Sequence, residues 1–188
     1  MDGIERCIDD EIPFDIPETW CWTSLQSICG TITDGEHKTP RRINTCCGYY
    51  LLSARNIRDG YLSLDDVDYV DKDEYAIISK RCNPRQGDIL ISCSGSIGRC
   101  CVINDNLSYV MVRSAAMASP IILNSLYLMY VIQSEPIQKQ IRDSVKQAVQ
   151  ANLFQGAIRS LFIPVPPLAE QERIVTKINE LLPLVKNA

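Results

Sequence analysis

The chain has 188 residues, of which 46% are hydrophobic and 22% are charged, a composition that predicts a folded core and excludes global disorder. No run approaches the roughly 18 consecutive apolar residues that a membrane helix requires, so no membrane partner is expected. The net charge of −4 and the pI of about 5.0 argue against an evenly basic surface of the kind that binds nucleic acids.

The N-terminal segment and the cysteines indicate the cellular compartment. Residues 1–16 are acidic, lack the basic and apolar regions of a signal peptide, and are interpreted as an approach segment. The nine cysteines include no C-x-x-C pair and His37 is the single histidine, so no metal site is expected. Vicinal Cys100 and Cys101 would point to opposite sides of a strand. Reduced, buried thiols in a cytoplasmic protein are the favoured interpretation.

The first half of the chain predicts short strands separated by polar loops. Trp20 and Trp22 alternate with other residues, as in a strand or an aromatic anchor. Residues 30–48 mix Gly, Thr, Asp, Lys, Arg and Pro and predict a long loop. Residues 49–54 predict a short buried strand, and the Asp-Gly pair at 59–60 is a strong hairpin signal.

The middle of the chain predicts a central strand with an antiparallel neighbour. Residues 88–92 form the predicted central strand, and the glycine-bearing turn at 94–98 follows it. Residues 99–103 are expected to return antiparallel, and residues 109–117 are expected to form a further strand.

The remaining segments predict helices and one extended piece. Residues 123–131 have helical spacing, and Ser134 is expected to cap a second helix with Pro136 in its first turn. Residues 159–165 are predicted to be extended. The whole pattern predicts a mixed α/β domain with a mixed or antiparallel sheet and a projecting C-terminal helix.

The run Ile-Pro-Val-Pro-Pro-Leu-Ala-Glu-Gln-Glu-Arg-Ile-Val at 163–175 joins a stiff, proline-bearing segment to an abrupt helix start. An apolar stripe with coiled-coil spacing follows, and its members are Ile174, Ile178, Leu181 and Val185. Pro183 is expected to kink or end this helix. The stripe would serve equally well for pairing with a partner helix or for packing back on the same domain.

Three polar clusters supply candidate contacts to nucleic acid. Residues 37–58 contain no acidic side chain, whereas the acids concentrate on either side. Arginine pairs with guanine or phosphate, asparagine pairs with adenine, and serine hydroxyls bond phosphates. The candidates are His37, Lys38, Thr39, Arg41 and Arg42 in the long loop, Arg55, Asn56 and Arg58 at a strand exit, and Ser94, Ser96 and Arg99 at the glycine turn.

Each cluster also has an ordinary structural explanation, namely a solvated loop, a hairpin and a tight turn. The phosphate contacts are assigned to Lys38, Arg42 and Arg58. The contacts to base edges are assigned to Arg41, Arg55 and Asn56.

Catalytic chemistry has little support in the sequence. A nucleophile such as Cys93 would need a base, and only His37 is present, without a third group to orient it. The turn at 94–98 lacks the Gly-Lys-Ser/Thr ending of a nucleotide-binding loop. A small cysteine hydrolase therefore remains only as a weak alternative.

The run Pro-Leu-Ala-Glu-Gln-Glu-Arg-Ile-Val at 167–175 resembles the conserved helix start in specificity subunits of type I restriction–modification systems. The entry at 11–25, Glu-Ile-Pro-Phe-Asp-Ile-Pro-Glu-Thr-Trp-Cys-Trp-Thr-Ser-Leu, resembles that family's approach to a target-recognition domain. The central Gly-Asp-Ile-Leu-Ile-Ser at 87–92, with Gly95 and Gly98, resembles its central strand and turn. The resemblance spans roughly residues 11–182.

The resemblance implies a non-catalytic subunit that recognises one half of a bipartite double-stranded DNA target. Residues 17–165 would form the target-recognition domain, and residues 166–188 would form part of the spacer or dimerisation helix. A longer helix is usual in the family, so the chain is expected to be a fragment or a half-length subunit.

The resemblance also implies partners that perform the chemistry. A methyltransferase subunit would use S-adenosylmethionine, an endonuclease subunit would use ATP and magnesium, and this chain would hold no cofactor or metal. Two copies could pair through the C-terminal helix into a homodimer. A related protein-interaction module that does not bind DNA is the main alternative, which the acidic pI favours.

Overall fold

The computed structural model describes residues 12–45, 48–146 and 151–186, so most of the predicted approach segment lies outside the described residues. The strands are β1 (Cys21–Ser24), β2 (Cys29–Asp34), β3 (Tyr49–Leu52), β4 (Ile57–Arg58), β5 (Tyr61–Leu62), β6 (Asp68–Tyr69), β7 (Ile89–Ser92), β8 (Cys100–Val102), β9 (Ser108–Met111), β10 (Ala115–Pro120) and β11 (Phe162–Val165). The helices are α1 (Leu25–Ile28), α2 (Lys72–Ile78), α3 (Ser125–Gln133), α4 (Glu135–Lys146), α5 (Gln155–Arg159) and α6 (Leu168–Lys186).

The strands form a mixed arrangement in which β7 is central. A four-stranded antiparallel sheet has the order β2-β10-β7-β8. A three-stranded sheet has the order β6-β3-β9, in which β3 and β9 run parallel. The predicted mixed α/β class is therefore confirmed.

Strand β7 is buried on both of its faces because a core lies on each side of its sheet. Ile89 and Ile91 face the core that α3, α4 and α5 cover, whereas Leu90 faces the core that contains β3, β9 and α2. Cys100 and Cys101 on β8 divide between the two cores in the same way, as predicted. Each buried aliphatic side chain of this kind contributes roughly 1.5–3 kcal/mol of apolar burial.

The two predicted turns are present. Strands β4 and β5 pair across the Asp-Gly turn, and Gly60 has a φ of +87°, which a residue with a Cβ rarely adopts. Strand β8 returns antiparallel to β7 after the glycine-bearing turn, in which Gly98 also has a φ of +87°.

The predicted strand at 109–117 is wrong, because β9 and β10 are separate strands in different sheets. A turn divides them, in which the Ala115 N–H donates to the Val112 carbonyl at 3.0 Å. Neither Gly nor Pro marks this turn in the sequence. The predicted loop at 30–48 also begins later than expected, because β2 extends to Asp34 through its pairing with β10.

The predicted cap at Ser134 is right in position but wrong in mechanism. Ser134 lies between α3 and α4, and its hydroxyl donates back to the Val131 carbonyl at 2.6 Å. Its own carbonyl accepts from the Ile137 and Gln138 N–H groups at 3.1 and 2.9 Å. The backbone therefore starts α4 without a side-chain cap.

The beginning and the end of the described domain lie side by side. Strand β1 pairs antiparallel with β11, so Cys21 is opposite Val165. The Trp20 indole N–H donates to the Glu170 carboxylate on α6 at 3.2 Å. The entry motif and the helix-start motif therefore form one contiguous structure, although they are far apart in sequence.

Gln171 attaches α6 to the domain. Its side chain is only 2% exposed, its Oε1 accepts from the Asn124 N–H at 2.9 Å, and its Nε2 donates to the Pro166 carbonyl at 2.9 Å. Val175, one turn later, is also buried, and the Tyr130 hydroxyl reaches Asn179 at 2.5 Å. The first half of α6 consequently packs on its own domain.

The second half of α6 projects away from that contact. Ile174 and Ile178 of the predicted stripe are half-buried, whereas Leu181 and Val185 are exposed. Pro183 does not end the helix, because α6 continues to Lys186, whereas the kink expected as the other outcome stays a prediction. The neighbouring side chains are exposed, so water can bond the carbonyl that Pro183 leaves without a donor.

In the described part of the chain, no helix is both long enough and apolar enough to cross a bilayer.

Replacing Gln171 with Ala should destabilise the domain by about 1–3 kcal/mol, because the change leaves buried backbone groups without partners. Urea unfolding monitored by circular dichroism measures this difference. Glu172→Ala is the control on the exposed side of the same turn, and its stability should stay within about 0.5 kcal/mol of wild type. Equal unfolding midpoints for the two variants would contradict the bridging role of Gln171.

Candidate nucleic-acid interface

A cleft of about 330 Å³ opens where the loop after β2, the turn after β7 and the segment before α5 meet. We call it the Arg113 cleft, and its polar lining consists of Asp34, His37, Ser94, Arg113, Ser114 and Asn152. Phe154, which is 56% exposed, also lines it. The cleft therefore combines two of the predicted contact residues, His37 and Ser94, with residues that sequence analysis did not select.

Backbone hydrogen bonds fix the walls of the Arg113 cleft to one another. The Glu36 N–H donates to the Met111 carbonyl at 2.7 Å, and the Arg113 N–H donates to the Glu36 carbonyl at 3.0 Å. The Cys93 N–H donates to Ser114 at 2.8 Å, and the Leu153 N–H donates to Cys93 at 2.9 Å. Chain segments distant in sequence thus form one preorganised surface.

Gly35 allows the loop after β2 to approach this surface closely. A Cβ at Gly35 would lie 2.4 Å from the carbonyl oxygens of Met111 and Val112. The Gly35 N–H also donates to the Ala115 carbonyl at 3.0 Å. The position of His37 in the cleft therefore depends on a glycine two residues earlier.

The only carboxylate among the residues that line the cleft, Asp34, already has two polar partners. The His37 Nε2 lies 2.7 Å from its Oδ2, and Arg81 forms an ion pair with its other oxygen. Burial alone would raise the pKa of Asp34, but the hydrogen bonds from His37 and Arg81 and their charges outweigh it and lower that pKa. Asp34 therefore stays ionised and compensated at neutral pH.

Ser96, Arg99 and Arg58 lie at a second groove on the other side of the glycine turn. Ser96 and Arg99 line a groove of about 380 Å³, and Arg58 and Arg99 line an adjoining one of about 440 Å³. Asp59 borders both, with its Oδ2 3.9 Å from the Arg99 Nε. The glycine turn therefore separates Ser94 from the other members of its predicted cluster.

Internal hydrogen bonds hold this turn in place. The Ser92 hydroxyl donates to the Ser96 carbonyl at 2.5 Å, and the Gln138 Nε2 donates to the Gly98 carbonyl at 3.0 Å. Its structural explanation is thus correct, yet Ser94 and Ser96 still present their side chains to two different surfaces.

Three of the predicted arginines form ion pairs with the acidic segment that follows β5. The Arg42 Nε lies 2.8 Å from the Oδ2 of Asp68, and the Arg55 guanidinium lies 2.9 Å from its Oδ1. Arg41 pairs with Asp71. Burial alone would raise the pKa of Asp68, but the hydrogen bond from Arg42 and the charges of both arginines lower it.

Asn56 does not fit the expected contact with a base edge. Its side chain is 2% exposed, and its Oδ1 accepts from the Ser53 N–H at 3.0 Å. Its Nδ2 lies 3.2 Å from the carbonyls of Ser63 and Asp66. The alternative explanation applies here, because both ends of the amide stabilise the hairpin.

Lys38 and Thr39 are exposed on the loop after β2. The Lys38 N–H donates to the Glu36 carboxylate at 2.9 Å, which shapes the loop and leaves the ammonium in solvent. Within residues 12–45, 48–146 and 151–186, neither Lys38 nor Arg58 forms an ion pair.

Sequence analysis missed Arg113, Asn152 and Phe154. Arg113 is the single charged residue within the apolar run at 109–117. That interruption was the available signal, because a charged residue in a buried strand marks either a partner or an exposed turn. Asn152 and Phe154 carry no comparable signal, since their position depends on the Leu153–Cys93 backbone contact.

The Cys93 and His37 pair does not have the properties of a hydrolase site. Cys93 is 4% exposed, burial raises the pKa of its thiol to about 12, and its Sγ lies 3.7 Å from the Ile91 carbonyl. At neutral pH such a thiol is not a thiolate, which is the nucleophilic form. The described residues also contain no group of His, Cys, Asp and Glu side chains able to hold a metal ion.

A family model described as the type I restriction modification DNA specificity domain matches residues 51–185. The chain belongs to this family. The match confirms the resemblance to specificity subunits and places the chain with a specificity domain rather than with a catalytic subunit.

Two curated relatives agree with this assignment. The specificity domain is 28% identical over 171 residues to the specificity subunit of the type I restriction enzyme EcoBI from Escherichia coli, covering 88% of this chain and 35% of that subunit. It is 25% identical over 191 residues to the EcoAI specificity subunit from the same species, covering 93% of this chain and 30% of that subunit.

Solved structures show the same fold. The HsdS subunit from Thermoanaerobacter tengcongensis matches with a TM-score of 0.66 and 21% identity, over 93% of this chain and 40% of that chain. A chain from a structure that describes the assembly of a type I R-M system matches with a TM-score of 0.72 and 22% identity, over 93% of this chain and 41% of that chain. The specificity domain thus spans about a third of the length of the curated relatives and about two fifths of the solved chains.

Replacing Gly35 with Ala should destabilise the specificity domain by about 1–3 kcal/mol, because the new Cβ overlaps backbone atoms of Met111 and Val112. Thermal unfolding and urea unfolding both measure the change. Gly156→Ala in α5 is the matched control, since a Cβ there meets nothing within 4 Å. We expect the control to be neutral or slightly stabilising, and equal losses in both variants would exclude the close-approach argument.

The contribution of Asp68 should depend on pH. The pKa of Asp68 in the folded state lies below its ordinary value of 3.8, so its stabilising effect is present above about pH 5 and disappears as the pH falls through the folded pKa. The stability difference between wild type and Asp68→Asn should therefore shrink in urea titrations from pH 6 to pH 2. The control is Asp15→Asn, because Asp15 is exposed and lies outside the ion pairs that the described residues form. Its stability should stay within about 0.5 kcal/mol of wild type. A pH-independent difference for Asp68→Asn would refute the ion-pair explanation.

Proposed function

We propose that this specificity domain is a target-recognition domain that binds one half of a bipartite double-stranded DNA target. The observation that carries the proposal is the Arg113 cleft, a preorganised surface with Arg113, His37 and Ser94 in its lining and Lys38 on the adjoining loop. Such a surface offers hydrogen-bond donors for base edges beside cations for phosphates.

The acidic net charge does not oppose this proposal, because the carboxylates nearest the interface are paired. Arg42 and Arg55 would exchange Asp68 for DNA, and partly exposed ion pairs of this kind are worth only about 0–1 kcal/mol in water. Phosphate contacts also release condensed counterions, which favours the exchange. We assign the phosphate contacts to Lys38, Arg42 and Arg58 and the base-edge contacts to Arg41 and Arg55. Residues of the Arg113 cleft take the base-edge role first assigned to Asn56.

Helix α6 would act as the spacer that measures the distance between half-sites. Gln171 and Val175 fix its first half to the domain, so the orientation of its second half follows from the domain itself. The exposed apolar residues of the last turns are Leu181, Leu182, Leu184 and Val185. This projecting surface supports docking of a methyltransferase subunit or pairing with the helix of a second copy.

The chemistry would then belong to cytoplasmic partner subunits. A methyltransferase subunit would supply S-adenosylmethionine-dependent adenine methylation, and an endonuclease subunit would supply ATP- and magnesium-dependent cleavage. The specificity domain would contribute position and sequence discrimination only.

Lys38→Ala should weaken binding to all DNA sequences, because a phosphate contact carries no sequence information. The slope of log K against log salt should become shallower by about 0.9, the value for one lost contact. Fluorescence anisotropy with duplex DNA between about 50 and 200 mM salt measures both effects on the domain with its methyltransferase partner. Lys139→Ala, which removes the same charge from an exposed site on α4, is the control.

A complex that binds no duplex DNA would favour the alternative of a protein-interaction module, which the acidic pI supports. Methylome sequencing of cells that carry this domain and its methyltransferase gives an independent readout. A bipartite motif is the expected result, and a palindromic motif would indicate two copies joined through α6.

A further inference from the structure

Arg113 differs from the other arginines near the proposed DNA surface. Arg41, Arg42, Arg55 and Arg81 each pair with a carboxylate. Among the described residues, Arg113 makes no ion pair, although it is exposed and lines the same cleft as Asp34. Its guanidinium is therefore available to a ligand without first breaking an internal contact.

The backbone that carries Arg113 is held on both sides. Its own N–H donates to the Glu36 carbonyl at 3.0 Å, and the next residue, Ser114, accepts from the Cys93 N–H at 2.8 Å. The Ser114 hydroxyl also accepts from the Ala54 N–H at 3.1 Å. Because this backbone is already fixed, binding orders only the Arg113 side chain and not the segment that carries it, which favours a geometry-dependent contact.

The surroundings of Arg113 suit the edge of a base better than a phosphate. Asp34 and Arg81 offset each other's charge, and Arg113 is the only Lys or Arg among the residues that line the cleft, so the cleft lacks the cluster of cations that favours a phosphate. A base edge is uncharged and presents paired acceptors. Half-buried Ser94 and Asn152 add hydrogen-bonding groups, and exposed Phe154 adds an apolar surface for a base methyl or a sugar.

We infer that Arg113 is a specificity-determining residue, which donates two hydrogen bonds to O6 and N7 of a guanine in the major groove. This inference rests on the proposed DNA-binding function. A planar guanidinium matches the two guanine acceptors, whereas a lysine ammonium is a point charge that does not reproduce that fork. The Arg113 cleft is then the part of the domain that distinguishes one base pair from another.

The test compares wild type, Arg113→Ala and Arg113→Lys by selection from a random duplex DNA library, using the full chain with its methyltransferase partner. Wild type should select a motif with a required guanine. Arg113→Ala should lose the preference at that one position and bind the wild-type target roughly five- to 150-fold more weakly, the range for one lost bidentate contact. Arg113→Lys should also lose the preference, while its binding to unrelated DNA stays near that of wild type.

Arg85→Ala is the matched control, because it removes an exposed arginine that borders a different pocket and should leave the motif unchanged. Thermal unfolding of each variant verifies that the fold is retained, which the exposure of Arg113 predicts. An unchanged motif in Arg113→Ala, or a wild-type motif in Arg113→Lys, would overturn the inference. Failure of wild type to select any motif would instead overturn the proposed function.

Discussion

The burial of β7 on both faces is the constraint on which the rest of the structure depends. A strand with a core on each side must be apolar and must have its backbone paired at both edges, and β8 and β10 supply those partners. The turn that leaves β7 is therefore held in a fixed position, with Ser94 facing the Arg113 cleft and Ser96 facing the opposite groove. Core packing in this way positions two surfaces at once.

Charge is distributed so that an acidic protein can carry a local surface for an anionic polymer. The acidic segment after β5 pairs with arginines of the acid-free stretch, and Asp34 pairs with Arg81 and His37. Such partly exposed pairs hold loops in position but exchange readily with solvent or phosphate, because each is individually weak in water. Lys38, Arg58 and Arg113 remain outside the ion pairs that the described residues form.

Local signals predicted local structure well, and the failures share one cause. The Asp-Gly hairpin, the central strand and the helix start after the prolines depend on short-range backbone preferences, and the structure contains all three. The predicted strand at 109–117 is divided by a turn that hydrogen-bonds to the Gly35 loop. The Asn56 amide, which was assigned to a base edge, is engaged within the hairpin. Both outcomes depend on partners distant in sequence.

Local patterns in the amino-acid sequence were enough to predict the family motifs, the mixed α/β class and the turns at 59–60 and 94–98, because Gly, Pro and apolar periodicity act through neighbouring residues. Tertiary structure alone decided which polar side chains share a surface. Arg113, His37 and Asn152 line one cleft only because backbone hydrogen bonds join three separated segments. Gln171 is a buried bridge only because the start of α3 lies beside α6. Such pairings depend on the whole chain, so no local pattern encodes them.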